Sequence, residues 1–134
     1  MSKVDYTLVI ILIAAFACSA PGVKRKVISL DEAITDYNNS IRWSMLEKID
    51  AYHLSRNGEK KSLDRAAMER VRVTGFTILE QTVNTDVTEA VVKGEIAYYT
   101  TDSGTLKKFP FTNIWWYSDA ERRWYNGSDY PQFK

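Results

Sequence analysis

The chain has 134 residues, with 18 Lys and Arg set against 17 Asp and Glu. That length holds one domain plus a short leader, and the balanced charge offers neither the basic surplus of a nucleic-acid binder nor the acidic run of a disordered tail. One cysteine, Cys18, excludes an internal disulfide, and with one histidine, His53, a structural zinc site lacks ligands; no metal or cofactor is expected.

In chain order the first feature is an uncharged run from Tyr6 to Ala20. A spanning helix needs about 20 apolar residues and a secretory signal about 7–15, so the run has the length of a signal. Cleavage after Ala17 or Ala20, lipidation at Cys18 and retention as an anchor are all compatible with it. Asp5 dilutes the charge in front of the run, and Lys24-Arg25-Lys26 behind it resists translocation. The sequence Ala15-Phe16-Ala17-Cys18 resembles the lipobox of bacterial lipoproteins. That resemblance implies a signal segment over 1–18, a lipid on Cys18 and, with Ser19 following, the periplasmic face of the outer membrane. Retention would instead give a single-span inner-membrane anchor.

Residues 19–28 read as a basic tether, and 29–134 as a single folded domain. Ser29-Leu30-Asp31-Glu32 has the form of a capping box. Leu30, Ile34, Tyr37, Ile41, Met45 and Tyr52 then recur at helical spacing, which predicts one long amphipathic helix over 30–54. Its inner stripe should bury Ile41, and its outer side should carry Glu47, Asp50 and His53. Trp43 lies off the stripe and is expected to pack beneath a short helix over 62–70, where Leu63, Ala66 and Ala67 point inward.

From Val71 the period becomes two. A first strand should bury Val71, Val73, Phe76 and Ile78, with a bulge at Gly75; a second should bury Ala90, Val92, Ile96 and Tyr98. Asp102-Ser103-Gly104 marks a hairpin turn. The third strand, 105–118, contains Pro110, which asks for an edge or a bulge. A short fourth strand ends at Gly127. The expected class is α+β: one long and one short helix packed on a curved four-stranded antiparallel meander.

This order, closing on Trp115-Trp116-Tyr117 and Arg123-Trp124-Tyr125, resembles the cystatin-like cone of nuclear transport factor 2-like proteins. More narrowly, residues 37–43, 70–76, 114–125 and 130–133 are similar to stretches of small proteobacterial lipoproteins. The resemblance implies a fold and an envelope location, and carries no activity with it.

No catalytic motif occurs in the sequence, and His53 with Asp50 on an outward helix face lacks the setting of an acid–base pair. No catalytic residue is therefore expected. Phe109, Phe111, Trp115 and Tyr117 share one face of the third strand, opposite Ile114 and Trp116. One helix covers one face, so these four rings are expected to form a contact surface for an envelope protein partner or a second copy. The functional expectation is a non-enzymatic binding or assembly module, held at the membrane through its lipidated N-terminus and without nucleic acid. The alternatives are a small-ligand-binding domain, or an enzyme, using the space between helix and sheet, and an accessory subunit of a membrane complex.

Overall fold

The computed structural model describes residues 21–133. Three helices, α1 (Pro21–Arg42), α2 (Leu46–Tyr52) and α3 (Arg65–Glu69), precede four strands, β1 (Val71–Val83), β2 (Glu89–Thr100), β3 (Lys107–Ser118) and β4 (Arg123–Asn126). The strands form one antiparallel sheet in the order β1-β2-β3-β4. The class is therefore α+β with a meander, as the sequence pattern predicts.

The core lies between α1 and one face of the sheet. Leu30, Ile34, Tyr37 and Ile41, three to four residues apart along α1, are all buried. They meet Val71 and Val73 of β1, Ala90, Val92, Ile96 and Tyr98 of β2, Phe111 and Trp115 of β3, and Trp124 of β4. Each fully buried aliphatic side chain of this kind contributes about 1.5–3 kcal/mol.

The helix differs from expectation at both ends. It already runs at Pro21, the first described residue, so 21–28 are helical turns and not a tether. Ser29 is then internal and forms no capping box. Its hydroxyl donates back to the Lys26 carbonyl at 2.9 Å and accepts from the Trp124 indole N–H at 3.1 Å, tying α1 to β4.

The 30–54 helix is also two helices. Ser44 sits at φ +53°, the Ser44 amide donates to the Ile41 carbonyl and the Met45 amide to the Ser40 carbonyl. These are the paired bonds of a Schellman termination, usually built on glycine. The break resets the helical phase. Ile49 and His53 consequently turn inward, and both are buried. Trp43, caught in the break, is 69% exposed, with the Arg42 guanidinium over its ring, rather than packed under the short helix.

In β1 the pairing slips beside Gly75 as expected and again between Ile78 and Glu80. The second slip was not legible as a bulge, and it leaves Ile78 and Leu79 facing solvent. Pro110 is accommodated because β4 pairs with only residues 115–118 of β3; the half containing Pro110 has a free edge.

Candidate functional site

Register decides which rings face inward. Ala90 pairs with Trp115, Val92 with Asn113 and Ile96 with Phe109. Directly paired residues project to the same side of a sheet, and the β2 members are buried, so Phe109, Phe111, Asn113, Trp115 and Tyr117 face the core. This corrects the expected contact surface. Trp115 is 1% exposed, with its indole edge-on to Tyr37 and Tyr52 at 5.4 and 5.8 Å; Phe111 is buried, and Phe109 and Tyr117 are half-buried against the core. The opposite face carries Ile114 and Trp116, the latter stacked on Tyr125 at 5.3 Å.

The inward stripe does not fill its end of the sheet. A cavity of about 360 Å³ lies among Phe76 of β1, Ile96 of β2, Phe109, Phe111 and Asn113 of β3, Tyr37 of α1, and the C-terminal segment 129–132. Gly94 helps to shape it. A Cβ there would lie 2.0 Å from the Thr77 carbonyl oxygen and 2.6 Å from the Phe111 ring, so glycine alone lets Phe111 lie down on the sheet. The Phe111 ring then meets Phe76 at 4.6 Å, while Phe133 closes on Tyr98 and Phe109 at 5.0 and 5.4 Å. Two larger depressions, one beside Asp36, Tyr52, Arg122 and Arg123 and one beside Arg42, Trp43, Arg72 and Tyr99, are open and lined by charged side chains. The 360 Å³ space is also partly open, and of these three it is the one walled mainly by phenylalanine rings.

Behind its Tyr37 and Tyr130 wall sits His53, its ring tilted against Tyr130 at 4.1 Å between centroids. Nδ1 lies 2.9 Å from the Ser128 carbonyl, an acceptor only, so Nδ1 carries the proton and donates. Nε2 is thus an acceptor, and the Tyr37 hydroxyl donates to it at 2.7 Å. Burial is the main cause that pushes the imidazole down to about 4 and raises the Tyr37 phenol well above its ordinary value. A base that weak and an acid that weak do not exchange a proton at neutral pH, so the pair is a neutral structural bond. The fully buried Asn126 amide lies beside the Tyr37 hydroxyl without completing a hydrogen bond to it; its Nδ2 is the one buried side-chain donor without a partner among the described residues. Tyr130 donates to Asp50, which holds that carboxyl below the usual range. His53 and Asp50, expected on an outward face, are therefore parts of the packing between α2, β4 and the C-terminal segment.

Among the described residues no group of three or more His, Cys, Asp or Glu could hold a metal ion, and no helix is long and apolar enough to cross a membrane. Cys18 and the 1–18 segment lie outside the described residues. Asn113 is the site residue that the sequence reading passed over. Its signal was there: one amide at an inward position of an otherwise aromatic stripe.

The sequence matches no family model and no curated protein. Two solved structures are similar to it. One, from Xanthomonas campestris pv. campestris, shares 14% identity over 74% of this chain and 89% of its own, at a TM-score of 0.42. The other, from Pseudomonas putida KT2440, shares 16% identity over 73% of this chain and 90% of its own, at a TM-score of 0.40. Each is described as a "putative polyketide cyclase". Both neighbours carry the name of an enzyme, against the expectation of a non-enzymatic domain.

Proposed function

We propose that this chain is a small-ligand-binding domain whose ligand occupies the cavity between α1, the inward face of the sheet and the C-terminal segment. The observation that carries the reading is the cavity itself: about 360 Å³ walled by Phe76, Phe109 and Phe111. That volume lies at the small end of ligand sites, which are concave, largely apolar and carry few polar groups. A domain of this size gains stability by closing such a space; keeping it open forgoes packing.

The test is saturable binding of the uncharged probe N-phenyl-1-naphthylamine to the full chain, followed by fluorescence. Phe109→Trp, which adds bulk at the wall, should weaken binding about tenfold or more, and Trp43→Ala, on a distant surface, should leave it unchanged. Equal effects of the two variants would mean that the probe coats exposed rings.

Attachment to an envelope membrane through lipidated Cys18 belongs to the same proposal. It is supported by the placement of the sole cysteine at the end of a short apolar run. Intact mass of the protein extracted from membranes decides it: a chain starting at an acylated Cys18 supports the reading, and a full-length unmodified chain overturns it.

A further inference from the structure

We infer that Asn113 is the polar anchor of this cavity, and that the ligand is an uncharged, flat, mostly apolar molecule that presents a carbonyl or carboxamide edge to it. The inference rests on the ligand-binding reading above and names the class of molecule bound.

Asn113 is 8% exposed, and its side chain stands on the inward face between Phe111 and Trp115. The described residues offer its side-chain amide no hydrogen-bond partner, and it lines the cavity. Its amide atoms are not among the fully buried unsatisfied ones, so they are open to the cavity, where a polar group of an occupant can bond them. A leucine facing Val92 would continue the apolar stripe, so the amide in that place gives the cavity a hydrogen-bonding point for whatever enters it.

The other polar side chains around the cavity are already engaged or turned away. Tyr37 donates to His53, Tyr130 to Asp50, and Gln132 to the Tyr130 carbonyl. Asp129 is paired with Lys61 at the exposed rim, and Thr112 is exposed on the opposite side of β3. Asn113 is therefore the buried polar side chain of the lining with capacity to spare, holding two N–H donors and one carbonyl acceptor.

The same inventory sets the ligand's charge. No Lys, Arg or His lines the cavity, and its one carboxylate has a lysine partner. A carboxylate or ammonium ligand would sit there without a counter-charge, at a cost that one amide does not offset. An uncharged carbonyl accepts from the Asn113 amide without that penalty, and a carboxamide or lactam returns a donor to its oxygen as well. The three phenylalanine walls suit a flat body of about two fused rings at this volume.

Three probes of nearly equal shape test the inference on the full chain: 2-acetylnaphthalene, 2-isopropylnaphthalene and 2-naphthoate, with dissociation constants from calorimetry. Asn113→Leu should weaken 2-acetylnaphthalene about tenfold and leave 2-isopropylnaphthalene equal or tighter, and 2-naphthoate should bind the unaltered chain more weakly than the ketone. In the unaltered chain the Asn113 side-chain amide resonances should move on adding the ketone and stay in place with the hydrocarbon; this readout holds even if Asn113→Leu misfolds. Tight binding of the naphthoate, or equal losses for ketone and hydrocarbon, would overturn the anchor while leaving the cavity as a binding site. Failure of all three probes to bind the unaltered chain would overturn the anchor and the ligand-binding reading together.

Discussion

Tyr37 and His53 join α1 to the end of α2 through a single 2.7 Å bond in which the phenol donates to Nε2, and the opposite ring nitrogen donates to the Ser128 carbonyl at 2.9 Å. The imidazole is thus spanned between a helix and the chain leaving β4, with both nitrogens spent in the neutral state. Protonating Nε2 would force the Tyr37 hydroxyl to turn from donor to acceptor and would place a charge on a buried ring.

The consequence is a dependence of stability on pH. The folded His53 is pushed down to about 4, chiefly by burial, whereas the unfolded residue titrates near 6.5. Between these values the unfolded chain binds the extra proton, so stability is full above about pH 6.5 and falls as pH drops toward 4, by up to about 3 kcal/mol. Asp50 and Asp36, lowered first by their bonds to Tyr130 and Lys48, lose their contributions only below the ordinary carboxylate range, outside this window. Urea unfolding at pH 7, 5.5 and 4.5 should show the loss, and His53→Gln should flatten it. The same slope in that variant would assign it to other groups.

Gly94 should be intolerant of any side chain. A methyl group there meets a backbone oxygen at 2.0 Å and the Phe111 ring at 2.6 Å. The ring can turn, but Thr77 is held in the β1–β2 ladder, so the strands themselves must part. Overpacking of this kind costs about 1–3 kcal/mol or more, and Gly94→Ala should lower the melting temperature accordingly. Gly75→Ala, whose added carbon would lie 3.6 Å from the Ala97 side chain, serves as the mild control.

The period-two pattern carried enough information to place β2, the meander order and the bulge at Gly75, because alternation against a buried face is a direct imprint of the pleat. It also held the inward face of β3, through the pairing of that strand with Ala90, Val92 and Ile96; treating β3 as a strand in isolation reversed it. The phase of α2 was not legible. It depends on a Schellman termination at Ser44, and neither glycine nor proline marks the break. One missed break moved His53 and Asp50 from the packed side to the solvent side and hid the network behind the cavity. The place of the C-terminal segment 129–132 as a cavity wall arises from tertiary contact alone, which no local pattern encodes.

Ser44 supplies its own test. At φ +53° an L side chain costs about 1–2 kcal/mol relative to a right-handed conformation, and glycine adopts this region freely. Ser44→Gly should therefore stabilise the domain by about 1 kcal/mol, read as a raised midpoint in denaturant at unchanged slope. A loss of stability would show that the Ser44 side chain contributes more than its backbone strain costs.

The two tryptophans Trp115 and Trp43 should behave oppositely, although a tryptophan on an amphipathic strand and one on an amphipathic helix look equally buriable in sequence. Trp115 is 1% exposed and touches Tyr37 and Tyr52 edge-on, so it joins β3 to both α1 and α2. Trp115→Ala removes that body from a packed interior and should cost about 3–5 kcal/mol. Trp43 is 69% exposed and meets the Arg42 guanidinium at 5.5 Å, a solvated contact contributing about 0.5–1 kcal/mol. Trp43→Ala should therefore change stability by less than about 1 kcal/mol. Thermal unfolding of both variants, with ellipticity and tryptophan emission followed together, separates the cases. A folded Trp115→Ala domain of undiminished stability would return that face to solvent and overturn the inward assignment on which the cavity depends.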